Sequence, residues 1–252
     1  MDKKQEHKKA EFGLLGKNIS YSFSKTYFTN KFKMAHLPHS YTNFDIPNIA
    51  QFSEVIDKNP QLKGLNVTIP YKEKIIPFLD NIDPIAKQIG AVNTIKFKDN
   101  KLVGYNSDYY GFKGSISKYL KPNHKQALIL GTGGASKAVY KVLLDLDIKA
   151  TFVSRTSSKP NTILYADVNK SILKSHHIII NCTPLGTFPD VNSAPDIPYQ
   201  FLTAKHLLFD LIYNPKETLF LRRGKRFESV CCNGLKMLEF QAEKSWAIWQ
   251  EA

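Results

Sequence analysis

Apolar residues along the chain fall into short runs separated by polar turns, and the runs alternate between two periods. Residues 11–16, EFGLLG, form a compact apolar run that predicts a buried strand. In SFSKTYFTNKF, residues 22–32, the aromatics at 23, 27, 28 and 32 share one helical face. SYTNFDI (40–46) reads as a strand, IAQFSEVI (49–56) as a helix, and LKGLNVTI (62–69) as a strand. YKEKIIPFL (71–79) starts as a helix and breaks near Pro77. AVNTIKF and KLVGYN then flank Lys98, Asp99 and Asn100, which predicts a hairpin.

KPNHK (121–125) interrupts the pattern, and QALILG (126–131) follows as the strongest strand signal in the chain. GASKAVYKVLLDL (134–146) is helical; ATFVSR (150–155), HHIIINCT (176–183) and HLLFDLIY (206–213) are strands. Strands alternating with helices through short connections predict parallel α/β architecture. The chain closes on LKMLEFQAEKSWAIWQ, whose apolar positions 235, 237, 238, 242, 246 and 249 describe a long amphipathic helix. The expected organisation is two lobes, one over 11–106 and the other over 107–234, with helix 235–252 completing the first. Residues 1–10, polar and charged, read as a disordered lead-in rather than a secretory signal.

Composition narrows the class. The chain has 252 residues, enough for two modest domains, with 42% hydrophobic and 23% charged residues. No apolar run reaches the ~18 residues of a membrane helix. Cys182, Cys231 and Cys232 are few, odd in number and without metal-ligand spacing, which favours a reducing compartment, the cytoplasm by default. The net charge of +13 is spread along the chain, apart from the lead-in and the short RRGKR cluster at 222–226, which reads as a solvated helix end. With no nucleic-acid module in view, a small anionic substrate or cofactor is the better use of that charge.

LILGTGGAS (128–136) follows a strand and opens a helix. Gly131, Gly133 and Gly134 allow a tight turn there, so backbone N–H groups can approach a pyrophosphate. An NAD site wants an acid at the end of the next strand, about 20 residues on. That strand ends instead in Ser154, Arg155 and Thr156. A guanidinium flanked by two hydroxyls suits a 2′-phosphate, so the cofactor is read as NADP(H).

Polar residues also collect at strand ends of the first lobe. Ser22 and Ser24 stand where the first strand enters its helix, in positions where serine caps well. Asn66 and Thr68 leave the third strand, and Lys72 follows after Pro70. Asn93 lies in GAVNT and Asp108 in GYNSDYYGF. The two serine hydroxyls could equally hold a polyol or a carboxylate, though capping is the reading they favour on their own; Asn93 reads as a strand edge, Asp108 as a helix N-cap and Lys72 as a surface lysine, and the pattern alone does not show that these groups converge.

The segments SYSFSK, NVTIPYK, GAVNT, GYNSDYYGF, GTGGAS, SRT, NCTPLGT, DLIYNP and NGLKMLEFQA together resemble the shikimate dehydrogenase family, in order, from about residue 11 to 245. The resemblance implies an N-terminal α/β substrate-binding domain, a Rossmann-type NADP-binding domain and an active site in the cleft between them. It implies NADPH-dependent reduction of 3-dehydroshikimate to shikimate, a step toward chorismate and the aromatic amino acids. By motif position, Lys72 and Asp108 match the catalytic pair. Ser22 and Ser24 match the carboxylate serines. Thr68, Asn93 and Gln241 match groups that hold ring hydroxyls, with Asn66 beside them and Tyr213 near the carboxylate. On the cofactor side the match covers Gly131, Thr132, Gly133, Gly134, Ala135, Ser154, Arg155, Thr156, Thr183, Leu211 and Gly234.

Several positions depart from the family pattern. Tyr21 stands for a histidine, Lys25 for a proline, Ser107 for a threonine and Ser154 for an asparagine. A quinate-type paralogue, a non-enzymatic NADP-binding sensor and a folate-type dehydrogenase are the competing readings. The expected partners are the small-molecule substrate and cofactor, with no nucleic acid and no membrane, in a monomer or homodimer.

Overall fold

The computed structural model describes residues 9–20, 22–156 and 160–251. Most of the lead-in, and Tyr21, lie outside the described residues. The rest forms two compact units, one built on residues up to Ser107 together with those from Ala242 on, the other on Asp108–Gln241.

The first unit carries β1 (Glu11–Gly16), α1 (Phe23–Met34), β2 (Ser40–Asp45), α2 (Phe52–Lys58), β3 (Leu62–Val67), β4 (Asn81–Ile82), α3 (Pro84–Ile89), β5 (Thr94–Lys98) and β6 (Lys101–Tyr105). Its sheet runs β2-β1-β3-β5-β6-β4. β1, β2 and β3 are parallel, and β5 runs antiparallel to both β3 and β6. The cause is the predicted hairpin. Asp99 and Asn100 both take left-handed backbone (φ 50° and 59°), the two-residue turn that returns a strand beside itself. The helix expected at 71–79 is absent. The Lys72 carbonyl accepts from Val92 N–H, and Ile76 N–H bonds only to Glu73, leaving a turn and a 3₁₀ segment, Ile76–Phe78, around Pro77.

The second unit carries most of α4 (Ser107–Ile116), then β7 (Gln126–Leu130), α5 (Gly134–Asp145), β8 (Lys149–Ser154), β9 (Thr162–Leu164), α6 (Lys170–Ser175), β10 (Ile178–Asn181), β11 (Leu207–Asp210), α7 (Leu219–Lys225) and β12 (Val230–Cys232). Its sheet, β12-β11-β10-β7-β8-β9, is parallel throughout. The final helix, α8 (Leu235–Gln250), gives its first half to this unit and its second half to the first. Arg222 and Arg223 lie in the last turn of α7, as read from RRGKR.

Strand periodicity sorts the first unit's core into two layers. Leu15, Leu65 and Val67 face one side with Phe52, Ile75 and Ile95. Phe12 and Leu14 face the other with Phe28, Phe32, Tyr41 and, from α8, Ile248 and Trp249. Each large side chain so buried contributes ~1.5–3 kcal/mol. Glu243 of α8 pairs with Lys31 of α1 at 2.8 Å and accepts from the Tyr27 hydroxyl, fixing the helix on that face. The second unit's core is Leu128, Leu130, Ile179, Leu208 and Phe220 with their neighbours. Cys182, Cys231 and Cys232 are unpaired; Cys232 is buried and Cys231 half-buried.

Candidate active site

In the first sheet the strand order turns back between β1 and β3, since β2 lies on the far side of β1. Polar groups at the carboxyl ends of such a strand pair sit where open α/β sheets bind ligands. Ser22 and Ser24 follow β1, and Thr68 and Lys72 follow β3. Ser22 caps α1, accepting from Lys25 N–H at 3.2 Å, while Ser24 occupies the first turn.

The lysine loop is stitched to the GAVNT segment at both ends. Val67 N–H donates to the Asn93 carbonyl at 2.9 Å, and the Lys72 carbonyl accepts from Val92 N–H at 2.8 Å. Thr68 N–H donates to the Leu15 carbonyl at 2.9 Å. Buried Tyr71 anchors the turn: its N–H donates to the Thr68 carbonyl, and its hydroxyl donates to the Ile46 carbonyl at 2.7 Å. Lys72, half-buried, thus leaves a fixed turn beside Asn93.

Behind these groups lies a buried polar network that the motif reading missed. The Asn93 amide oxygen accepts from Ser107 N–H at 2.6 Å and from Thr94 Oγ1, and its Nδ2 donates to Ser107 Oγ at 3.0 Å. Thr94 Oγ1, Ser107 Oγ and Ser245 Oγ, each on a residue with no exposed surface, lie 2.9–3.1 Å from one another. Asn66 Nδ2 donates to Ser245 Oγ at 2.9 Å and lies 3.3 Å from both Thr94 Oγ1 and the Asn93 carbonyl, while its Oδ1 accepts from the Tyr41 hydroxyl at 2.8 Å. Asn66 therefore directs its amide into the framework. Its partners come from 25 to 179 residues away along the chain, so no local pattern announces them. Asn93 is buried rather than at a solvated edge, and Ser107 keeps the hydroxyl of the family's threonine in use.

In the second sheet the order turns back between β7 and β10. Gly131 leaves β7 with left-handed backbone (φ 98°), its N–H bonded to the Val153 carbonyl at 2.8 Å. Thr183 leaves β10 opposite it, its N–H and hydroxyl both donating to Asn181 Oδ1 (3.0 and 2.7 Å). A Cβ on Gly131 would come within 3.0 Å of the Thr183 methyl. Thr132 and Gly133 complete the turn, and Gly134 and Ala135 open α5, where the first amides have no intrahelical acceptor. A Cβ on Gly133 would meet nothing within 4 Å. The space above this turn and the free helix amides fit a pyrophosphate. Ser154 ends β8, and Arg155 and Thr156 stand exposed beyond it.

Leu211 and Tyr213 follow β11. The Leu211 amide bonds the Asn181 carbonyl at 3.0 Å, and Gly234 N–H bonds the Ile212 carbonyl at 3.0 Å. Tyr213 is half-buried, and burial raises its phenol above the ordinary range. Asp210, which the motif reading passed over, ties these ends together: fully buried, it accepts from Asn181 Nδ2, Ile212 N–H and the Thr218 hydroxyl. Burial outweighs those bonds and pushes its carboxyl up to about 6. The signal was present in HLLFDLIY, where one acid interrupts an apolar strand.

Asp108 lies buried in the first turn of α4, one residue inside the helix rather than at its cap. One turn on, Gly111 runs against the Met237 carbonyl and the Gln241 side chain of α8. This crossing puts Asp108 and Gln241 on neighbouring helices; Gln241, also buried, donates from Nε2 to its own helix at Leu238.

Residues 14–95 match the family described as the shikimate dehydrogenase substrate binding domain. A relative from Clostridium beijerinckii named shikimate dehydrogenase (NADP(+)) is 40% identical over 95% of this chain and 92% of its own length. The crystal structure of shikimate dehydrogenase 1 from Peptoclostridium difficile matches at 40% identity with a TM-score of 0.83, covering 96% of this chain and 91% of that one. Shikimate 5-dehydrogenase from Thermus thermophilus, solved with NADP(H) and shikimate, matches at 27% identity with a TM-score of 0.85, covering 96% and 93%.

Proposed function

The chain belongs to the shikimate dehydrogenase family, and from that premise we propose how its residues carry out the NADP-dependent interconversion of 3-dehydroshikimate and shikimate. The observation that carries the assignment of roles is the double stitch that holds Lys72 beside Asn93 at the end of β3.

Residues 131–135 would hold the pyrophosphate of NADP, Arg155 with Ser154 and Thr156 the 2′-phosphate, and Thr183, Leu211 and Gly234 the nicotinamide side. When bound, the nicotinamide supplies or accepts the hydride. Charge then develops on the carbonyl oxygen of 3-dehydroshikimate. Lys72 stabilises that oxygen as an ammonium and delivers the proton to it. Asp108 accepts a hydrogen bond from the reacting hydroxyl and orients the lysine. Ser22 and Ser24, with Tyr213 near them, take the carboxylate; Thr68, Asn93 and Gln241 take the ring hydroxyls. Asn66, turned inward, is assigned to holding this arrangement.

A site that hydrogen-bonds several hydroxyls and a carboxylate rejects analogues that leave its groups unpaired. The spread positive charge favours capture of an anionic substrate and cofactor. The reading includes a cytoplasmic setting, supported by the three unpaired cysteines. Among the described residues no helix is long and apolar enough to cross a membrane. The test is turnover of purified protein with shikimate or quinate as substrate and NADP or NAD as cofactor. Fast reaction with shikimate and NADP alone supports the reading. Preference for quinate moves the protein to the paralogue class, and cofactor binding without turnover makes it a sensor.

A further inference from the structure

Asn181 ends β10 and Asp210 ends β11, and the two are partners in the parallel register. Neither has exposed surface. The Asn181 carboxamide lies between groups of fixed polarity. Its Nδ2 donates to Asp210 Oδ1 at 3.0 Å and to the Leu185 carbonyl at 3.4 Å. Its Oδ1 accepts from Thr183 N–H at 3.0 Å and from the Thr183 hydroxyl at 2.7 Å. A flipped amide would set its oxygen against a carboxylate and its nitrogen against a backbone N–H, leaving buried groups unpaired, so the surroundings allow this orientation alone. Asp210 is held from behind, accepting from Ile212 N–H at 3.1 Å and from the Thr218 hydroxyl.

We infer that Asn181, oriented by Asp210, is a positioning residue of the cofactor site: it draws the Thr183 hydroxyl proton inward, so that Thr183 meets the nicotinamide half of NADP as a hydrogen-bond acceptor. A hydroxyl has one proton and two lone pairs. The proton goes to Asn181 Oδ1, and Leu185 N–H donates to Thr183 Oγ1 at 3.3 Å. One lone pair remains for a ligand, and it calls for an N–H or O–H donor, which the nicotinamide carboxamide and the ribose hydroxyls both supply. Thr183 is only half-buried and faces the glycine turn, since a Cβ on Gly131 would come within 3.0 Å of its methyl. A hydroxyl already held by a buried partner has no rotor freedom left to lose when the ligand arrives. That NADP lies here is the functional reading above, on which this inference rests.

The test is NADP affinity by titration calorimetry, which needs no turnover, with melting temperatures alongside. Thr183→Val keeps the side-chain shape and removes the hydroxyl; it should weaken NADP roughly tenfold, the scale of one lost hydrogen bond. Asn181→Ala should weaken NADP by about the same factor in the wild-type background, and by less than about twofold in the Thr183→Val background, because the group it acts through is gone. Asp210→Asn, whose carboxamide oxygen can still accept from Asn181 and Ile212, should bind NADP within about twofold of the wild type, whereas Asp210→Leu should match Asn181→Ala. The acetylpyridine analogue of NADP, which lacks the carboxamide N–H, separates the two donors. A Thr183→Val loss seen with NADP and not with the analogue supports the inference with the carboxamide as donor; an equal loss with both supports it with a ribose hydroxyl. Unmoved NADP affinity in Thr183→Val overturns this inference alone, whether or not the buried variants fold. So does an equal loss from Asn181→Ala in both backgrounds, which would mark Asn181 as general packing. A wild type that binds no NADP overturns the functional reading and this inference with it.

Discussion

Replacing Gly133 and Gly234 by alanine should perturb the second unit in opposite ways. At Gly234 a new Cβ would stand 2.0 Å from the Leu211 carbonyl oxygen. Ordinary contact is well beyond 3 Å, so something must move by about 1 Å, and the obstacle is backbone. Neither side gives easily, since Leu211 N–H is bonded to Asn181 and Gly234 N–H to Ile212. Overpacking of this kind costs ~1–3 kcal/mol or more, which in a chain of this size lowers Tm by about 2–12 °C. The shift falls on the turn carrying Leu211 and Tyr213, so catalysis should fall as well; a misplacement of ~1 Å can cost about 10²-fold. At Gly133 the backbone is extended (φ −76°, ψ 179°) and the new methyl meets nothing within 4 Å. Alanine there should hold or slightly raise Tm, by restricting the unfolded chain. The same methyl enters the space assigned to the pyrophosphate, so the KM for NADPH should rise at least about tenfold, as for a lost charge-assisted bond. Circular-dichroism melts and KM for NADPH at saturating 3-dehydroshikimate measure both. A Gly133→Ala variant with unchanged KM, or a Gly234→Ala variant melting within about 1 °C of the wild type, would refute the reasoning.

Arg155→Ser should raise the KM for NADPH roughly tenfold to a hundredfold and leave that for NADH unmoved, since the role proposed for Arg155 is to hold the 2′-phosphate alone; equal loss for both would reassign the arginine. Asp210→Asn should change how stability depends on pH. The carboxyl sits at about 6 in the fold against an ordinary 3.8. A raised acid means the folded state holds its proton more tightly, so the wild type loses stability as pH rises between those values, by roughly 3 kcal/mol, and the cost stays in full above the window. The Tm of Asp210→Asn minus that of the wild type should therefore be larger at about pH 7.5 than at about pH 4.5; a difference independent of pH would contradict the assignment. Tyr71→Phe should destabilise by about 1 kcal/mol through the lost bond to Ile46, and lower kcat by loosening the lysine turn, read from melts and steady-state rates.

What the sequence made legible depends on how local each cause is. EFGLLG, QALILG and the closing amphipathic segment form the expected strands and helix because burial alone decides them. The hairpin was legible because Asp99 and Asn100 tolerate left-handed backbone. The helix expected after Tyr71 failed because a distant strand end, Val92, captures the carbonyl that a helix needs. Helix α4 showed in the sequence only through its start at Asp108, because Gly111 and Gly114 weaken its pattern, yet Gly111 is what lets α8 approach. Strand β9 is three residues long and carries no period to read. The site motifs were legible as motifs. Tyr41, Thr94 and Ser245 were not, because a buried hydroxyl looks like any other strand or helix residue until its partner is known.

The measurement that bears most directly on the account is the Lys72→Ala variant against the wild type, with NADPH oxidation in the presence of 3-dehydroshikimate followed by absorbance and NADPH affinity by fluorescence titration. A lost acid–base group predicts a kcat lower by roughly 10²–10⁴-fold with NADPH affinity near that of the wild type. A kcat that barely moves would contradict the account and return Lys72 to an ordinary lysine on a well-anchored turn.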